Sequence, residues 1–311
     1  MKTSKNRSGF LSYSKSNNLG DYIQSIAAKE LAGLNSVCLD REKLNIYSGP
    51  KINLIMNGWF MENSKNWPPS EQINPLFISF HINPTAKRNM LSDKGIEFFK
   101  KHEPIGCRDY YTQRILSEKG VKSYFSGCLT LTLQNNNTQK KEGILVLSAL
   151  DRMNPKISTK NFFLNIFKYP KKNLVYKKSK KNLDEFISNQ KHSKTIKKSQ
   201  IIDTTGKTQM EIFSLANKQL DLISKSKLVI TSRIHTALPA ISLGAKVIFL
   251  TDGYNHINQK SRLEGLSEYF YCCKTSDLKN LNLEEIYPKR DHKEASNSLI
   301  EKVDQFFSED E

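Results

Sequence analysis

No apolar run of about 18 residues, the minimum for a membrane-spanning helix, occurs in the 311-residue chain. The opening MKTSKNRSGFLSYSKSNNLG has basic residues but no apolar core ahead of a small-residue cleavage site, so no secretory leader is read there. Five cysteines (Cys38, Cys107, Cys128, Cys272, Cys273) form no CxxC pair, and the adjacent Cys272 and Cys273 have the wrong spacing for a zinc knuckle. These absences lead us to expect a soluble cytoplasmic protein with reduced thiols. No dense carboxylate or histidine cluster is visible either, so no metal is expected.

Acidic residues are scarce as well: 31 Asp and Glu stand against 48 Lys and Arg, for a formal charge of +17. Such a surplus raises nucleic acid as a partner, because lysines displace counterions from phosphates. Yet much of it falls in residues 168–198, KYPKKNLVYKKSKKNLDEFISNQKHSKTIKK, where no arginine stands to read a base edge with two hydrogen bonds. Specific nucleic-acid recognition is therefore not expected. A solvated lysine face is one reading, and a surface for anionic substrates or the acidic inner leaflet of a membrane is another.

What is present is an alternation of short apolar runs and helical patterns. Strands are predicted near 8–13, 35–39, 52–57, 76–81, 104–107 and 121–126, with helices at 20–32, 92–101 and 109–119 between them. The stretch NNLGDYIQSIAAKELAGL sets Ile23, Ile26, Ala27 and Leu31 at helical spacing behind Asn18 or Asp21, with Gly33 as the stop. A polar segment at 133–143, LQNNNTQKKEG, reads as a linker. Beyond it come a strand at 143–150, a strand at 173–176, a helix at 182–190 and the strand QIIDTT at 200–205. A helix at 208–225, a strand at 227–232, a helix at 234–244, a strand at 246–250 and a terminal helix at 291–308 complete the pattern. We expect an α/β protein of two domains, residues 1–138 and 139–290, with residues 291–311 packing back on the first.

The segment KLVITSRIHTALPAISLGAKVIFL, residues 227–250, puts Arg233 and His235 at the turn between a strand and a helix. That turn lies at the carboxyl edge of a parallel sheet, where free helix N–H groups favour an anion. Thr231 or Ser232 could cap the helix, Arg233 offers a fork for carboxylate or phosphate, and His235 a proton near neutral pH. Taken alone, the pair also suits a local ion pair beside a helix-start histidine, with Pro239 close enough to the start to bend the helix little.

Four segments together, NLGDYIQSIAA (18–28), GWF (58–60), PIGCRDYYTQRILSEKGVKSYFSGCLTLTL (104–133) and SRIHTALPAISLGAKVIFL (232–250), resemble the polysaccharide pyruvyl transferase family. The resemblance spans most of the chain in order, apart from residues 150–200. It implies a GT-B-like fold, two Rossmann-like domains facing across a cleft. It also implies transfer of the enolpyruvyl group of phosphoenolpyruvate to a sugar of a surface polysaccharide or its precursor, forming a pyruvate ketal. The donor is a substrate, and no cofactor is implied. Arg233, Ile234 and His235, with Ser232, match the family's donor-binding motif, His235 being the candidate acid. Arg108 in CRDYYT would add a second cationic fork. Asn18, Gly20 and Asp21 match an early turn in which Asp21 holds or deprotonates an acceptor hydroxyl.

Further candidates are His81 at a strand end for the acceptor, and Asp151 and Arg152 at the edge of the second domain. Lys260 or Arg262, in a loop with Asp252 and Asn255, would bind phosphate. Trp59 and Phe60 would stack on a sugar or fill the core. The expected partners are phosphoenolpyruvate and a glycan or lipid-linked oligosaccharide acceptor, with peripheral membrane association. Two other readings stay open: a GT-B glycosyltransferase using a nucleotide sugar, and a noncatalytic polyanion-binding protein.

Overall fold

Two sheets, each wholly parallel, carry the chain in a computed structural model that describes residues 7–13, 16–135, 139–154, 162–190 and 193–308. The first contains β1 (Arg7–Ser12), β2 (Val37–Asp40), β3 (Ile52–Phe60), β4 (Ile73–Ile82), β5 (Ile105–Cys107) and β6 (Ser123–Phe125), in the order β2-β1-β3-β4-β5-β6. Its helices are α1 (Leu19–Ala32), α2 (Lys87–Met90), α3 (Asp93–Lys101) and α4 (Tyr110–Ser117). The second contains β7 (Glu142–Leu147), β8 (Thr195–Lys198), β9 (Ser226–Thr231), β10 (Lys246–Leu250) and β11 (Tyr271–Cys273), in the order β11-β10-β9-β7-β8. Helices α5 (Phe162–Asn189), α6 (Gln209–Lys225), α7 (Ile234–Ser242) and α8 (Ile257–Lys260) accompany it, while α9 (Lys293–Ser308) follows it in the chain and packs against α1 and β4 of the first.

Both strand orders reverse direction, between β1 and β3 in one sheet and between β7 and β9 in the other. At such a point successive helices depart to opposite faces, leaving a crevice beyond the strands' carboxyl ends. The strand ends that matter for a ligand are thus those at Ser12, Phe60, Leu147 and Thr231.

The core has three apolar layers. Between the sheets, Ile23 and Ala27 of α1 join Ala216 of α6, Ala237 of α7 and Val303 of α9. The small side chains let these helices approach closely, and α9 packs on α1 and the Leu129–Thr132 turn. An aromatic layer of Phe60, Trp67, Phe77, Phe80 and Phe99 covers the outer face of the first sheet. Truncating one of these buried rings to Ala would cost about 3–5 kcal/mol. On the outer face of the second sheet, Leu183 and Phe186 of α5 meet Ile144, Ile230 and Ile248.

Three elements depart from the sequence expectation. Residues 173–176 are no strand but part of the long helix α5, which also absorbs the expected helix at 182–190. Only Tyr176 of that apolar run packs on the core, while Leu174 and Val175 are 70% and 48% exposed. The QIIDTT stretch is not a sheet strand either. The strand is β8 just upstream, whose TIKK sequence suits an edge position that lysines protect, and Ile201 instead makes one antiparallel bridge to Asn18. In the linker read at 133–143, Leu133 is buried and residues 136–138 lie outside the described residues. Among the described residues no helix is long and apolar enough to cross a membrane.

Candidate functional site

The edge of the second sheet is organised by Ser148, immediately after β7, in the left-handed region at φ 50. That conformation costs a non-glycine residue about 1–3 kcal/mol, and three hydrogen bonds hold it. Its hydroxyl donates to Asp151 Oδ2 (2.5 Å) and accepts from Gln200 N (2.7 Å), while its carbonyl accepts from Ser232 Oγ (2.8 Å). Ser232 is therefore committed to the neighbouring strand, and neither it nor Thr231 caps α7. The N-cap is Arg233, without a side-chain cap, and Thr231 Oγ1 accepts from the Arg233 N–H at 3.0 Å.

Helix α7 does not run straight past Pro239. A proline has no N–H for the carbonyl four residues earlier, and its ring crowds that carbonyl. The residue so placed is His235, which leaves helical geometry at φ −82, ψ 20. Pro239 thus bends the helix more than its place near the start led us to expect. Arg233 lies half-buried, with Nη2 3.8 Å from Asp151 Oδ2 and Nε without a partner. Beside it, Arg152 lies 4.8 Å above the Tyr254 ring, and Arg152 Nε and the Tyr254 hydroxyl both donate to Ser232 O.

From the first sheet comes a chain of polar contacts that ends on the same histidine. Asp21 accepts from Ser16 Oγ (2.5 Å) and Gln24 Nε2 (3.3 Å). Gln24 Oε1 accepts from Arg108 Nη1 at 3.4 Å, and that nitrogen lies 3.5 Å from His235 Nε2. A guanidinium only donates, so a hydrogen bond in this contact uses the Nε2 lone pair, which only a neutral imidazole offers. Arg108 is 1% exposed, and its Nε and Nη2 have no hydrogen-bond partner. Behind it, Asp109 caps α4 through Thr112 N (2.9 Å), and His81 Nδ1 is 2.6 Å from Asp109 Oδ2. His81 is wholly buried, so it supports Asp109 and Arg108 instead of presenting a surface to an acceptor.

The two edges are locked at the start of α1. A Cβ on Gly20 would lie 2.8 Å from His235 Cβ and closer still to the Gln200 amide nitrogen, so only glycine fits. Asn18 Oδ1 accepts from Gly20 N (3.2 Å) and from Gln200 Nε2 (2.6 Å). Gln200 Oε1 in turn accepts from the Thr236 hydroxyl on α7. Asn18 is thus a cross-brace. Sequence reasoning missed Gln200, whose only signal was a buried-type position given to an amide.

The expected candidates therefore divide. Arg108, Arg233, His235, Asp21 and Gly20 come together with Arg152 and Arg262, whereas Ile234 belongs to the core and Lys260 is exposed on α8. Asp252 is occupied by Thr275 and Ser179, and Asn255 is exposed. Phe60 is core, and Trp59 is flanked by the guanidiniums of Arg41 (4.2 Å) and Arg262 (5.5 Å). Among the described residues no His, Cys, Asp and Glu group is arranged to hold a metal ion.

The electrostatics of this group are those of an anion site. Burial and the Arg108 charge push Arg262 down to about 10, with Asp21 opposing. Burial and Arg152 lower Arg233, with Asp151 opposing. Burial, then Arg108, Arg262 and His81, hold His235 well below the ordinary histidine value. Burial takes His81 to about 4 despite Asp109. Asp109 itself is held below the carboxylate range, because His81 and Arg108 outweigh the effect of its burial. Desolvated cations with unused donors, at the carboxyl edges of two sheets, are suited to a small multivalent anion.

The model of one protein family, described as polysaccharide pyruvyl transferase, matches residues 18–254. That span takes in every residue of the cluster except Arg262. A solved structure of a functionally uncharacterised protein from Klebsiella pneumoniae subsp. pneumoniae is similar at 12% identity, covering 83% of this chain and 87% of that one with a TM-score of 0.46. A search of curated proteins finds no match to this chain.

Proposed function

This chain belongs to the polysaccharide pyruvyl transferase family, and from that premise we propose that it moves the enolpyruvyl group of phosphoenolpyruvate onto a sugar of a surface polysaccharide or its precursor. The product is a pyruvate ketal across two hydroxyls. The observation that carries the reading is the set of buried arginine nitrogens without a hydrogen-bond partner, Arg108 Nη2, Arg233 Nε and Arg262 Nε, with Arg108 Nε only 3.6 Å from Asp109 Oδ2. Arg108 and Arg262 bear on His235, and Arg233 stands two residues before it. Phosphoenolpyruvate carries a carboxylate and a phosphate on one carbon, and guanidiniums from two lobes match such a ligand in number and charge. A GT-B-like arrangement of the two halves suits this use, with the donor bound where they meet.

The residues take these roles. The donor's negative charge offsets Arg108 and Arg262, the charges that keep His235 neutral, so His235 gains a proton as the donor binds. His235 then delivers that proton to the methylene carbon of phosphoenolpyruvate, and positive character develops at the neighbouring carbon. A sugar hydroxyl adds there and gives up its proton to Asp21, which Ser16 and Gln24 hold in place. The carbon–oxygen bond to phosphate breaks, inorganic phosphate leaves, and a second hydroxyl adds to close the ketal, its proton balancing the released phosphate. Arg233 and Arg262 stabilise charge on the departing phosphate. The acceptor is a glycan or lipid-linked oligosaccharide and the setting cytoplasmic.

Incubation with phosphoenolpyruvate and candidate glycans tests the proposal through stoichiometric phosphate release and a product mass increased by one pyruvyl unit. His235→Ala should keep much of the donor affinity while turnover collapses. Binding of a nucleotide sugar in place of phosphoenolpyruvate would overturn the proposal.

A further inference from the structure

Helix α5 presents an unusual outer face. Its inner face packs Tyr176, Leu183 and Phe186 on the second sheet. The opposite face carries Lys171, Leu174, Lys177 and Lys178, with Val175 at its flank, and Lys172 lies one turn before Tyr176 at the end of the inner row, all exposed. From Tyr169 to Leu183 the helix has no acidic residue, and among the described residues none of these four lysines makes an ion pair. Acidic residues begin at Asp184 and Glu185, which pair with Lys197 (2.6 Å) and Lys181 (3.7 Å). The uncompensated charge is therefore confined to the N-terminal half of the helix.

That half lies beside the site. Helix α5 leads from β7 to the parallel strand β8, so it runs back along the sheet and begins at the carboxyl edge. Ser179 Oγ, 3.4 Å from Asp252 Oδ1, fixes it to the loop after β10, the loop that leads to Arg262. The lysines and Leu174, which precede Ser179 in α5, accordingly lie toward the carboxyl-edge end of the helix, the end of the second sheet from which the loop to Arg262 departs.

We propose that this face docks the protein on an anionic lipid bilayer. Flexible lysines make point charges suited to diffuse attraction by a negative surface. An exposed Leu–Val pair among them is adapted to enter the headgroup boundary, as on interfacial helices. Nucleic acid is the less favoured occupant, because the face has no arginine for base edges and leads with aliphatic side chains where stacking rings would be needed. Docking there brings the arginine cluster to the membrane, where an acceptor carried on a lipid would be presented. The proposal stands independently of the donor chemistry.

Vesicle co-sedimentation of the full chain, without any donor, tests it with two compositions: phosphatidylcholine alone, and equal parts phosphatidylcholine and phosphatidylglycerol. Binding is expected only to the second, weakening as salt rises. The variant Lys171→Gln, Lys172→Gln, Lys177→Gln, Lys178→Gln should lose binding several hundredfold, at about fivefold per lysine. Leu174→Ser should lose about tenfold while keeping the headgroup preference. All five side chains are exposed, and an unchanged circular dichroism spectrum confirms that the variants fold. Undiminished vesicle binding by the four-glutamine variant would overturn the proposal, as would no binding to either vesicle or tighter binding to single-stranded DNA than to the anionic vesicles.

Discussion

Replacing Gly20 with alanine sets two effects of known sign against each other. Within a helix the change gains about 1 kcal/mol from backbone propensity. In this fold the new methyl would stand 2.8 Å from His235 Cβ, whereas relaxed carbon contacts are about 3.5–4.0 Å. The His235 Cβ is fixed to the α7 backbone, so the helix start, and not merely a side-chain tip, must retreat by about 1 Å. The Gln200 amide on the other side is held by Asn18 and Thr236 and cannot simply turn away. Overpacking of this kind costs about 1–3 kcal/mol, so net stability should fall by about 0–2 kcal/mol. Turnover should suffer more, because a misplacement of about 1 Å at a catalytic group can cost about a hundredfold. Urea unfolding measures the first and phosphoenolpyruvate-dependent phosphate release the second. A Gly20→Ala protein with higher stability and unchanged kcat would refute the argument that Gly20 sets the position of His235.

Other perturbations separate further parts of the account. His81 has a folded pKa of about 4 against about 6.5 in an unfolded chain. The unfolded state therefore binds the extra proton, and the protein should be most stable above about pH 6.5, losing about 3 kcal/mol as pH falls toward 4; urea midpoints that do not change between about pH 7 and pH 4 would contradict this. Calorimetric titration with phosphoenolpyruvate in two buffers of different ionisation enthalpy should reveal proton uptake that His235→Asn abolishes, and uptake persisting in that variant would assign it elsewhere. Gln200→Ala leaves Asn18 and the Thr236 hydroxyl without their shared partner, so unfolding should become easier by about 2–4 kcal/mol, and a loss below about 0.5 kcal/mol would show that the brace is dispensable.

Local pattern carried much of the architecture. The alternation of apolar strands with amphipathic helices is read within ten to twenty residues, and it placed α1, α4, α6 and β9 close to their observed bounds. Local pattern failed where the burying partner is distant. The run Asn173 to Tyr176 looks like a strand because Leu174, the β-branched Val175 and Tyr176 follow one another, but its exposed Leu174 and Val175 do not pack, and the register of α5 is set by Leu183 and Phe186 further on. The Arg-x-His turn was legible because its residues are contiguous. Gln200, whose amide reaches across to Asn18, was not, since nothing local distinguishes a bracing amide from a surface one. His81 was placed at the right strand end, but its burial behind Asp109 depends on a contact 28 positions along the chain. The cap of α7 was misassigned because Ser232 bonds to Ser148 instead, a commitment that only the adjacency of β7 and β9 creates.

The central claim is that arginines from both sheets bind one phosphoenolpyruvate beside His235. Isothermal titration of phosphoenolpyruvate into wild type, Arg108→Leu and Arg233→Ala tests it most directly. Binding to wild type should weaken about tenfold to a hundredfold in each variant, the loss of one charged hydrogen-bonding group. Wild-type affinity in both variants, or no binding by the wild type, would contradict the account.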